Sequence, residues 1–272
     1  MDNIKTLGNI GDTEKICPDC GEVIRIMTIP ILNQAMEIMC SCREAKVKEE
    51  RRQCRYKGSQ IIKANMIKNS GLLKRWANKT FDNFTPQTGQ HEAYAKSFEY
   101  AENYKTKNGL ILCGTAGCGK THLASAIVNK IISDLTIDDY IAEKTGLSGY
   151  MNDPRIEDFT PVRFVSTIDM LSEIKSTYTG DGAATQQVIG KYKTSEVLIL
   201  DDLGTENMTE WVREKMFEII NYRYGEEMSF VITTNKTPDE LKADFGYRIF
   251  DRIREMCAFV SINTPSQRQT AL

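Results

Sequence analysis

Residues 114–121 constrain the fold of this chain more than any other part of its sequence. They read Gly-Thr-Ala-Gly-Cys-Gly-Lys-Thr and fit the pattern G-x-x-x-x-G-K-[ST] at every fixed position. A short apolar run, 109–113, precedes them and is typical of a buried parallel strand. Apolar residues at helical spacing follow over 122–134. This order predicts a strand, a phosphate-binding P-loop and a helix within a parallel α/β fold.

The predicted loop has a chemical role for most of its positions. Backbone amides at a helix N-terminus bind phosphate oxygens, and glycines let the backbone curl around them. Lys120 is predicted to neutralise the β and γ phosphates of ATP, and Thr121 to give a hydroxyl to Mg²⁺. His122 is expected to pack or form hydrogen bonds beside them. The predicted nucleotide-binding residues are Gly114, Thr115, Ala116, Gly117, Cys118, Gly119, Lys120, Thr121 and His122.

Two further apolar runs, 197–200 and 228–234, end on polar side chains. In open α/β sheets, ligands bind at the carboxyl ends of the strands. Asp201 is predicted to hold Mg²⁺ through a water molecule. Asp202 is predicted to orient or deprotonate the attacking water, a role that a glutamate plays more often. Asn235, on a strand between the P-loop and Asp201, is expected to help place that water.

Arginines lie at spacings of four and two in the segment 246–254, at Arg248, Arg252 and Arg254. One interpretation is a basic helix surface, which needs no function. The other is an arginine finger that reaches the nucleotide of a neighbouring subunit. The residues alone leave both interpretations open.

Five of the eight cysteines lie in the first 54 residues. Cys17 and Cys20 form a Cys-x-x-Cys-Gly turn, and Cys40 and Cys42 follow after 19 intervening residues. Four thiolates from two turns are predicted to complete a tetrahedral zinc site, with a strand or hairpin over 23–32 between them. The second pair has only one intervening residue, so Cys54 is an alternative ligand. Free or redox-active thiols are the alternative to zinc.

Charge is distributed unevenly along a chain whose formal net charge is −2. Residues 43–79 carry 12 Lys or Arg and three acids, giving +9, so the remainder carries −11. This basic segment indicates contact with nucleic acid or an acidic partner, or simply a solvated helix over 43–57. Gly58, Ser59 and Gly71 are read as breaks. The predicted domains are therefore a cysteine-rich unit over 1–60, a linker over 61–80 and a nucleotide-binding domain over 81–272.

The remaining patterns predict a doubly wound sheet. Apolar runs beginning near 109, 162, 196, 228 and 257 predict five parallel strands separated by helices. The helices are expected over 91–107, 122–134, 168–178 and 208–224. Residues 179–185 are expected to be flexible, and 135–160 to form a surface insertion that carries partner contacts. The sequence contains neither a long apolar span nor an amino-terminal secretory signal, which favours a cytoplasmic protein.

Taken in this order, the segments resemble the AAA+ ATPases, and within them the bacterial and phage helicase loaders of the DnaC and DnaI type. The resemblance covers roughly residues 80–264, and the cysteine-rich amino terminus is similar to the DnaI side of the group. The matching motifs are Phe-Asp-Asn-Phe at 81–84, Gly-Lys-Thr-His-Leu-Ala at 119–124, Leu-Ile-Leu-Asp-Asp-Leu-Gly at 198–204, Ile-Ile-Asn-Tyr-Arg-Tyr at 219–224, Val-Ile-Thr-Thr-Asn at 231–235 and Arg-Ile-Phe-Asp-Arg-Ile at 248–253.

The resemblance implies a function in DNA replication. It implies an ATPase whose cysteine-rich unit grips a hexameric replicative helicase and whose AAA+ module self-associates, contacts single-stranded DNA and delivers the helicase onto it. It makes Asn235 the sensor 1 residue and Arg252 the finger, with Arg248 as the alternative, and Arg268 a candidate sensor 2 arginine. Competing hypotheses are an IstB-like ATPase that assists a transposase, a P-loop small-molecule kinase, and a module that binds nucleotide without turnover.

Overall fold

The computed structural model describes residues 5–6, 13–29, 34–37, 39–106, 108–145, 160–179 and 182–266. It divides the chain into two compact units, Met1–Ile61 and Ile62–Leu272. None of the helices in the described ranges combines the length and the hydrophobicity that crossing a bilayer requires.

The first unit is built on a four-stranded antiparallel sheet whose strands lie side by side in chain order. The strands are β1 (Lys5–Thr6), β2 (Thr13–Ile16), β3 (Val23–Ile29) and β4 (Gln34–Glu37). β3 confirms the strand predicted between the two cysteine pairs. The buried side chains of Cys17, Ile24 and Cys40 form a small core, against which Cys42 packs. Among the described side chains of this unit, sulfur atoms therefore occupy most of the core.

A long helix, α1 (Ser41–Asn69), follows the sheet. The predicted breaks at Gly58 and Ser59 are wrong, because the helix passes through both residues. A glycine inside a helix costs only about 1 kcal/mol relative to alanine, which a helix of this length tolerates. The chain instead turns at Gly71, where φ is 92° and a Cβ would lie 2.3 Å from the carbonyl oxygen of Phe164.

The second unit contains the five parallel strands that the sequence predicts, in the order β6-β7-β8-β5-β9. β8 lies between β5 and β7, so its carboxyl end is adjacent to the P-loop, as predicted. The strands are β5 (Gly109–Gly114), β6 (Val162–Ser166), β7 (Val197–Leu203), β8 (Phe230–Thr234) and β9 (Cys257–Ile262).

Helices cover both faces of this sheet, which confirms the doubly wound fold. Alternate residues of β5 point to opposite faces: Leu110 and Leu112 pack into one apolar cluster, and Ile111 and Cys113 into the other. The helices are α2 (Lys74–Ala77), α3 (His91–Glu102), α4 (Lys120–Asp134), α5 (Ile137–Thr145), α6 (Thr167–Ser176), α7 (Gly182–Thr194), α8 (Glu210–Gly225), α9 (Pro238–Phe245) and α10 (Tyr247–Met256).

Three helices differ from the predictions. α3 ends at Glu102 instead of continuing to residue 107. α5 lies inside the predicted surface insertion, yet it buries Ile137 and Ile141 in the core, so that part of the insertion is structural. Residues 146–159 of the insertion lie outside the described residues. α7 starts at Gly182, within the segment expected to be flexible, of which residues 180 and 181 are not described.

Residues 62–80 are part of the second unit's packed structure. They include the end of α1 and all of α2. Met66 and Leu72 are buried in the same apolar cluster as the strand residues Leu110 and Leu112. This segment therefore helps to form the core beside the sheet.

Arg223 of α8 is fully buried at the amino-terminal edge of the sheet. Its guanidinium donates hydrogen bonds to five main-chain carbonyls, and burial lowers its pKa to about 10. The carbonyls belong to Tyr192, Lys193, Ser195, Glu196 and Ser229. One side chain thus joins the segments that lead into β7 and β8, the two strands whose other ends carry Asp201 and Asn235.

Candidate functional site

The P-loop joins β5 to α4, as the sequence predicts. Gly119 is the N-cap of α4 with φ 98°, and Gly117 has φ 84°. A Cβ at Gly117 would lie 2.2 Å from the hydroxyl oxygen of Ser266, and one at Gly119 would lie 2.9 Å from the ring of Phe84. Both positions therefore require glycine for conformation and for space. The loop places its amides around the N-terminus of α4, where a phosphate binds favourably.

Lys120 is buried, and its ammonium group forms three hydrogen bonds to oxygen atoms. Nζ donates to the carbonyls of Gly114 and Thr115, both at 2.8 Å, and to Asn235 Oδ1 at 2.7 Å. Cys118 Sγ lies 3.7 Å away. The structure therefore brings together the P-loop lysine and the predicted sensor at the end of β8.

Asp201 at the carboxyl end of β7 faces the P-loop. Its Oδ1 accepts a hydrogen bond from Thr121 Oγ1 at 3.1 Å and another from Thr233 Oγ1 at 2.6 Å. The same Thr233 oxygen accepts from the amide of Asp202 at 2.9 Å. Thr233 is a positioning residue that our sequence analysis missed. The available signal was its place in β8, two residues before Asn235, which directly follows the strand.

Burial raises the pKa of Asp201 to about 6, against an ordinary value of 3.8. The hydrogen bond from Thr233 opposes this rise, whereas the nearby charge of Asp202 adds to it. A hydroxyl and a buried carboxylate 3.1 Å apart are hard oxygen donors of the kind that Mg²⁺ prefers. Thr121 and Asp201 therefore fit the predicted ion, which would balance the buried charge.

Asp202 has a left-handed backbone conformation with φ 56°. It lies where the register between β7 and β8 shifts, between Leu200 and Leu203. Such irregularities turn a side chain away from the direction that a regular strand would give it. Here the result is that Asp202 lines the same cavity as Lys120.

A cavity of about 460 Å³ lies over the P-loop, within the usual range for small-molecule sites. Three of its lining residues, Arg75, Trp76 and Lys79, were not predicted from the sequence, because they lie in the segment read as a linker. The Arg75 guanidinium lies 5.4 Å from the centre of the Trp76 ring. Together they offer an aromatic face and two cations. The cavity is lined by Arg75, Trp76, Lys79, Ala116, Gly117, Gly119, Lys120, Thr121, His122, Asp202 and Asn235.

His122 connects the start of α4 to the segment that precedes the core. Its Nε2 lies 2.9 Å from Asn83 Oδ1 and 3.1 Å from the carbonyl oxygen of Thr80. Its ring meets that of Phe84 edge to face at 4.9 Å. Burial lowers its pKa, which favours the neutral imidazole. His122 thus forms hydrogen bonds and packing contacts, as expected.

The arginines predicted to complete a neighbouring site lie outside the residues that line the cavity. Arg248 is exposed. The Arg252 guanidinium lies 5.2 Å from the ring centre of Phe217 and 5.4 Å from that of Tyr224. Its Nη1 donates to the carbonyl of Arg248 at 2.9 Å. Arg268 lies outside the described residues. The finger and sensor 2 roles therefore stay predictions.

The four predicted zinc ligands meet in the first unit. Their sulfur atoms all lie within 4.8 Å of one another. The Cys17–Cys40 and Cys40–Cys42 sulfur distances are both 3.3 Å, and the Cys17–Cys42 distance is 3.7 Å. A tetrahedral site with Zn–S bonds of about 2.3 Å separates its sulfur atoms by about 3.8 Å, so the arrangement fits zinc. Cys54, the alternative ligand, is exposed on α1 and outside the cluster.

Two known protein families match adjoining parts of the second unit. Residues 76–142 match the bacterial DnaA ATPase domain, and residues 142–271 match the IstB-like ATP binding proteins. The two matches adjoin at residue 142, between the P-loop helix and the Asp201 strand. Both descriptions agree with a nucleotide site built by these two elements.

Individual relatives include two replicative helicase loaders. The chain is 24% identical to DnaC of Escherichia coli K12 over 187 residues, which are 68% of this chain and 66% of that protein. It is 28% identical to DnaI of Bacillus subtilis 168 over 182 residues, which are 62% of this chain and 50% of that protein. The matches thus span less than two thirds of each relative.

Among solved structures, the crystal structure of the DnaC helicase loader superimposes with a TM-score of 0.54 at 28% identity. The match covers 70% of this chain and 100% of that one. The second unit therefore has the AAA+ fold of that loader, and this confirms the fold that the motifs implied. The geometry and the family matches together identify an ATP-binding AAA+ module.

Proposed function

We propose that this protein is an ATP-dependent loader of a hexameric replicative DNA helicase. The observation that carries the proposal is the meeting of Lys120, Asp201 and Asn235 at one sheet edge, on a fold shared with a DnaC loader. In this proposal, residues 1–60 hold the helicase and 81–272 form the ATPase domain. The complex acts in the cytoplasm and delivers the helicase onto single-stranded DNA.

In this proposal, ATP hydrolysis uses the side chains that surround the cavity. Lys120 binds the β and γ phosphates, while Asp202 orients the attacking water and Asn235 contacts the γ phosphate. Thr121 and Asp201 would hold Mg²⁺, which when bound would supply positive charge to the phosphates. Trp76 lies at the cavity wall, where an indole face suits a purine ring.

An arginine from a neighbouring subunit completes the proposed site. Turnover should therefore depend on assembly. Replacing the finger by Ala should leave ATP binding intact and reduce assembled turnover by about 1,000-fold. Measuring R248A and R252A side by side identifies the finger, and R254A, an exposed site on the same helix, is the control. Full turnover in both variants would contradict a finger on α10.

A second candidate is an ATPase that assists a transposase. The match of residues 142–271 to the IstB-like ATP binding proteins favours it. The cysteine-rich unit favours the loader, because it provides a separate binding module outside the ATPase domain. The two candidates differ in their protein partner and share their ATP chemistry.

The test is native mass determination of the full-length protein mixed with the hexameric replicative helicase of its source, with ATP, with ADP or without nucleotide. We expect a complex with several copies of this chain per hexamer. A full-length variant with Cys17 and Cys40 replaced by Ser should lose the complex and still bind ATP. If the intact protein forms no complex in any nucleotide state, the loader proposal fails, and a transposase with DNA becomes the partner to test.

A further inference from the structure

Residues 51–80 contain nine Lys or Arg and no acidic residue. The first part of this stretch lies on α1 in the first unit. All seven residues from 51 to 57 are exposed to solvent. This part of the helix has no apolar stripe turned to a core, so its whole surface is accessible to another molecule. The nine cations are Arg51, Arg52, Arg55, Lys57, Lys63, Lys68, Lys74, Arg75 and Lys79.

Four cations of α1 lie on one face of the helix. Lys48, Arg51, Arg52 and Arg55 have the spacing i, i+3, i+4 and i+7, which aligns side chains along a helix. We name these four residues the cationic stripe. It extends over about 10 Å of helix. Tyr56 follows at i+8 and is 65% exposed, so an aromatic ring lies beside one end of the stripe.

The stripe suits phosphate groups better than it suits a protein surface. Three of its cations are arginines, whose planar guanidinium groups bind phosphate oxygens in pairs. The fully buried centre of a protein interface is depleted of charged residues. Between residues 43 and 57 the apolar side chains are Ala45, Val47, Cys54 and Tyr56, and Tyr56 is the large one among them.

An exposed aromatic ring such as that of Tyr56 suits single-stranded rather than double-stranded nucleic acid. Base faces are covered by their neighbours in a duplex, whereas they are open for stacking in a single strand. Glu49 contacts Arg52 of the stripe at 3.0 Å at an exposed position. Surface pairs of this kind are weak and exchange readily with other anions.

We propose that the cationic stripe and Tyr56 form a binding surface for single-stranded nucleic acid, with phosphates on the stripe and a base stacked on Tyr56. The surface lies on α1, separate from the nucleotide cavity. Its use in helicase loading rests on the proposed function, but the binding itself requires neither ATP nor a helicase.

The experiment measures fluorescence anisotropy of a labelled oligothymidylate of about 20 nucleotides with the full-length zinc-loaded protein. The R51Q/R55Q variant should bind about ten-fold more weakly, and its dependence on salt concentration should fall by about 1 in log–log slope. Gln has nearly the helix propensity of Arg, so the helix should persist, as circular dichroism checks. Tyr56→Leu should weaken single-strand binding about ten-fold and leave duplex binding unchanged.

A matched control distinguishes the effect of the stripe's position from the effect of the protein's total charge. K57Q/K96Q also removes two positive charges, but from exposed sites outside the stripe. Lys57 lies about opposite the stripe on α1, and Lys96 lies on α3. This variant should bind the oligonucleotide like the unchanged protein. Equal losses in the stripe variant and the control, or equal binding by the stripe variant and the unchanged protein, would overturn the proposal.

The helicase complex, measured without DNA, distinguishes this proposal from the proposed function. A stripe variant that loses DNA and keeps the helicase supports the surface as described. A stripe variant that keeps DNA and loses the helicase identifies α1 as a docking site for an acidic protein and overturns the proposal. If the unchanged protein binds DNA but forms no complex with the helicase, only the proposed loader function is rejected.

Discussion

The two units of this protein reach a folded state by different means. In the first, Cys17, Ile24 and Cys40 form the core, and four sulfur atoms converge within 4.8 Å. In the second, two apolar clusters cover both faces of a parallel sheet. Burial of apolar surface stabilises the second unit. The described part of the first unit has a small apolar core, so we expect a metal bound by the thiolates to stabilise it.

This difference implies that each unit can unfold while the other stays folded. The consequences can be tested by changes that act on one unit only, because zinc content reports on the first and ATP binding on the second.

Zinc removal should have the largest effect. A chelator is expected to unfold residues 13–40 and to leave β5 and α4 protected, because structural zinc contributes about 10 kcal/mol or more to a small domain. Hydrogen exchange followed by mass spectrometry measures both regions in one experiment. Cys20→Ser should reduce the zinc content, whereas Cys54→Ser should retain about one zinc per chain. Full protection of residues 13–40 after chelation would refute the comparison.

Replacing Arg223 by Met should destabilise the second unit and leave the first unit folded. Five carbonyls lose their donor in the core of the second unit, and we expect the free energy of unfolding to fall by about 4 kcal/mol. Urea titration measures this loss. Arg213→Met, at an exposed position of the same helix, should change it by about 1 kcal/mol or less. The zinc content should be unchanged in both variants, and a loss of zinc in R223M would show that the units fold together.

Lys120→Ala should weaken ATP binding by about 3 kcal/mol, or about 100-fold, because the phosphates lose their buried cation. Isothermal titration calorimetry measures the affinity. Lys130→Ala is the matched control, since Lys130 lies on the same helix and pairs with Asp134 at 2.6 Å. Unchanged ATP affinity in K120A would contradict the P-loop assignment.

Asp201→Asn should stabilise the second unit at pH 7 in the absence of Mg²⁺. The pKa of Asp201 is about 6 in the folded state and 3.8 ordinarily, so the folded state binds the proton more tightly. The stabilisation by that proton is complete below about pH 4 and is lost as the pH rises through about 6. At pH 7 the ionised carboxylate opposes folding, and its removal should add about 2 kcal/mol. Urea titrations at several pH values measure the difference. Identical pH profiles of the two proteins would contradict this expectation.

The sequence predicted the features that are encoded locally. The P-loop, the strand before it and the helix after it occupy one continuous segment, so the pattern and its context could be read together. The Asp201 and Asn235 strands were recognised in the same way, from apolar runs that end on polar residues. Their order in the sheet then followed from the requirement that all three tips serve one site.

The features that the sequence did not predict depend on contacts between distant segments. Arg75, Trp76 and Lys79 line the cavity because residues 62–80 pack on the core. The break residues in and before that segment had predicted a linker there. Ile137 and Ile141 lie among residues that read as an insertion, because one buried turn gives too short an apolar pattern. The helix break predicted at Gly58 was wrong, because a single glycine is a weak break signal inside a long helix of favourable residues.

The contact between Lys120 and Asn235 has a consequence for the order of events at the site. An ammonium group has three hydrogens, and those of Lys120 meet three oxygen acceptors, one of them Asn235 Oδ1. A phosphate oxygen must therefore displace one of these acceptors when it binds. If it displaces the amide, the arrival of the nucleotide and the release of the β8 tip are a single exchange. Lys120 then releases the Asn235 side chain only when the phosphate is in place.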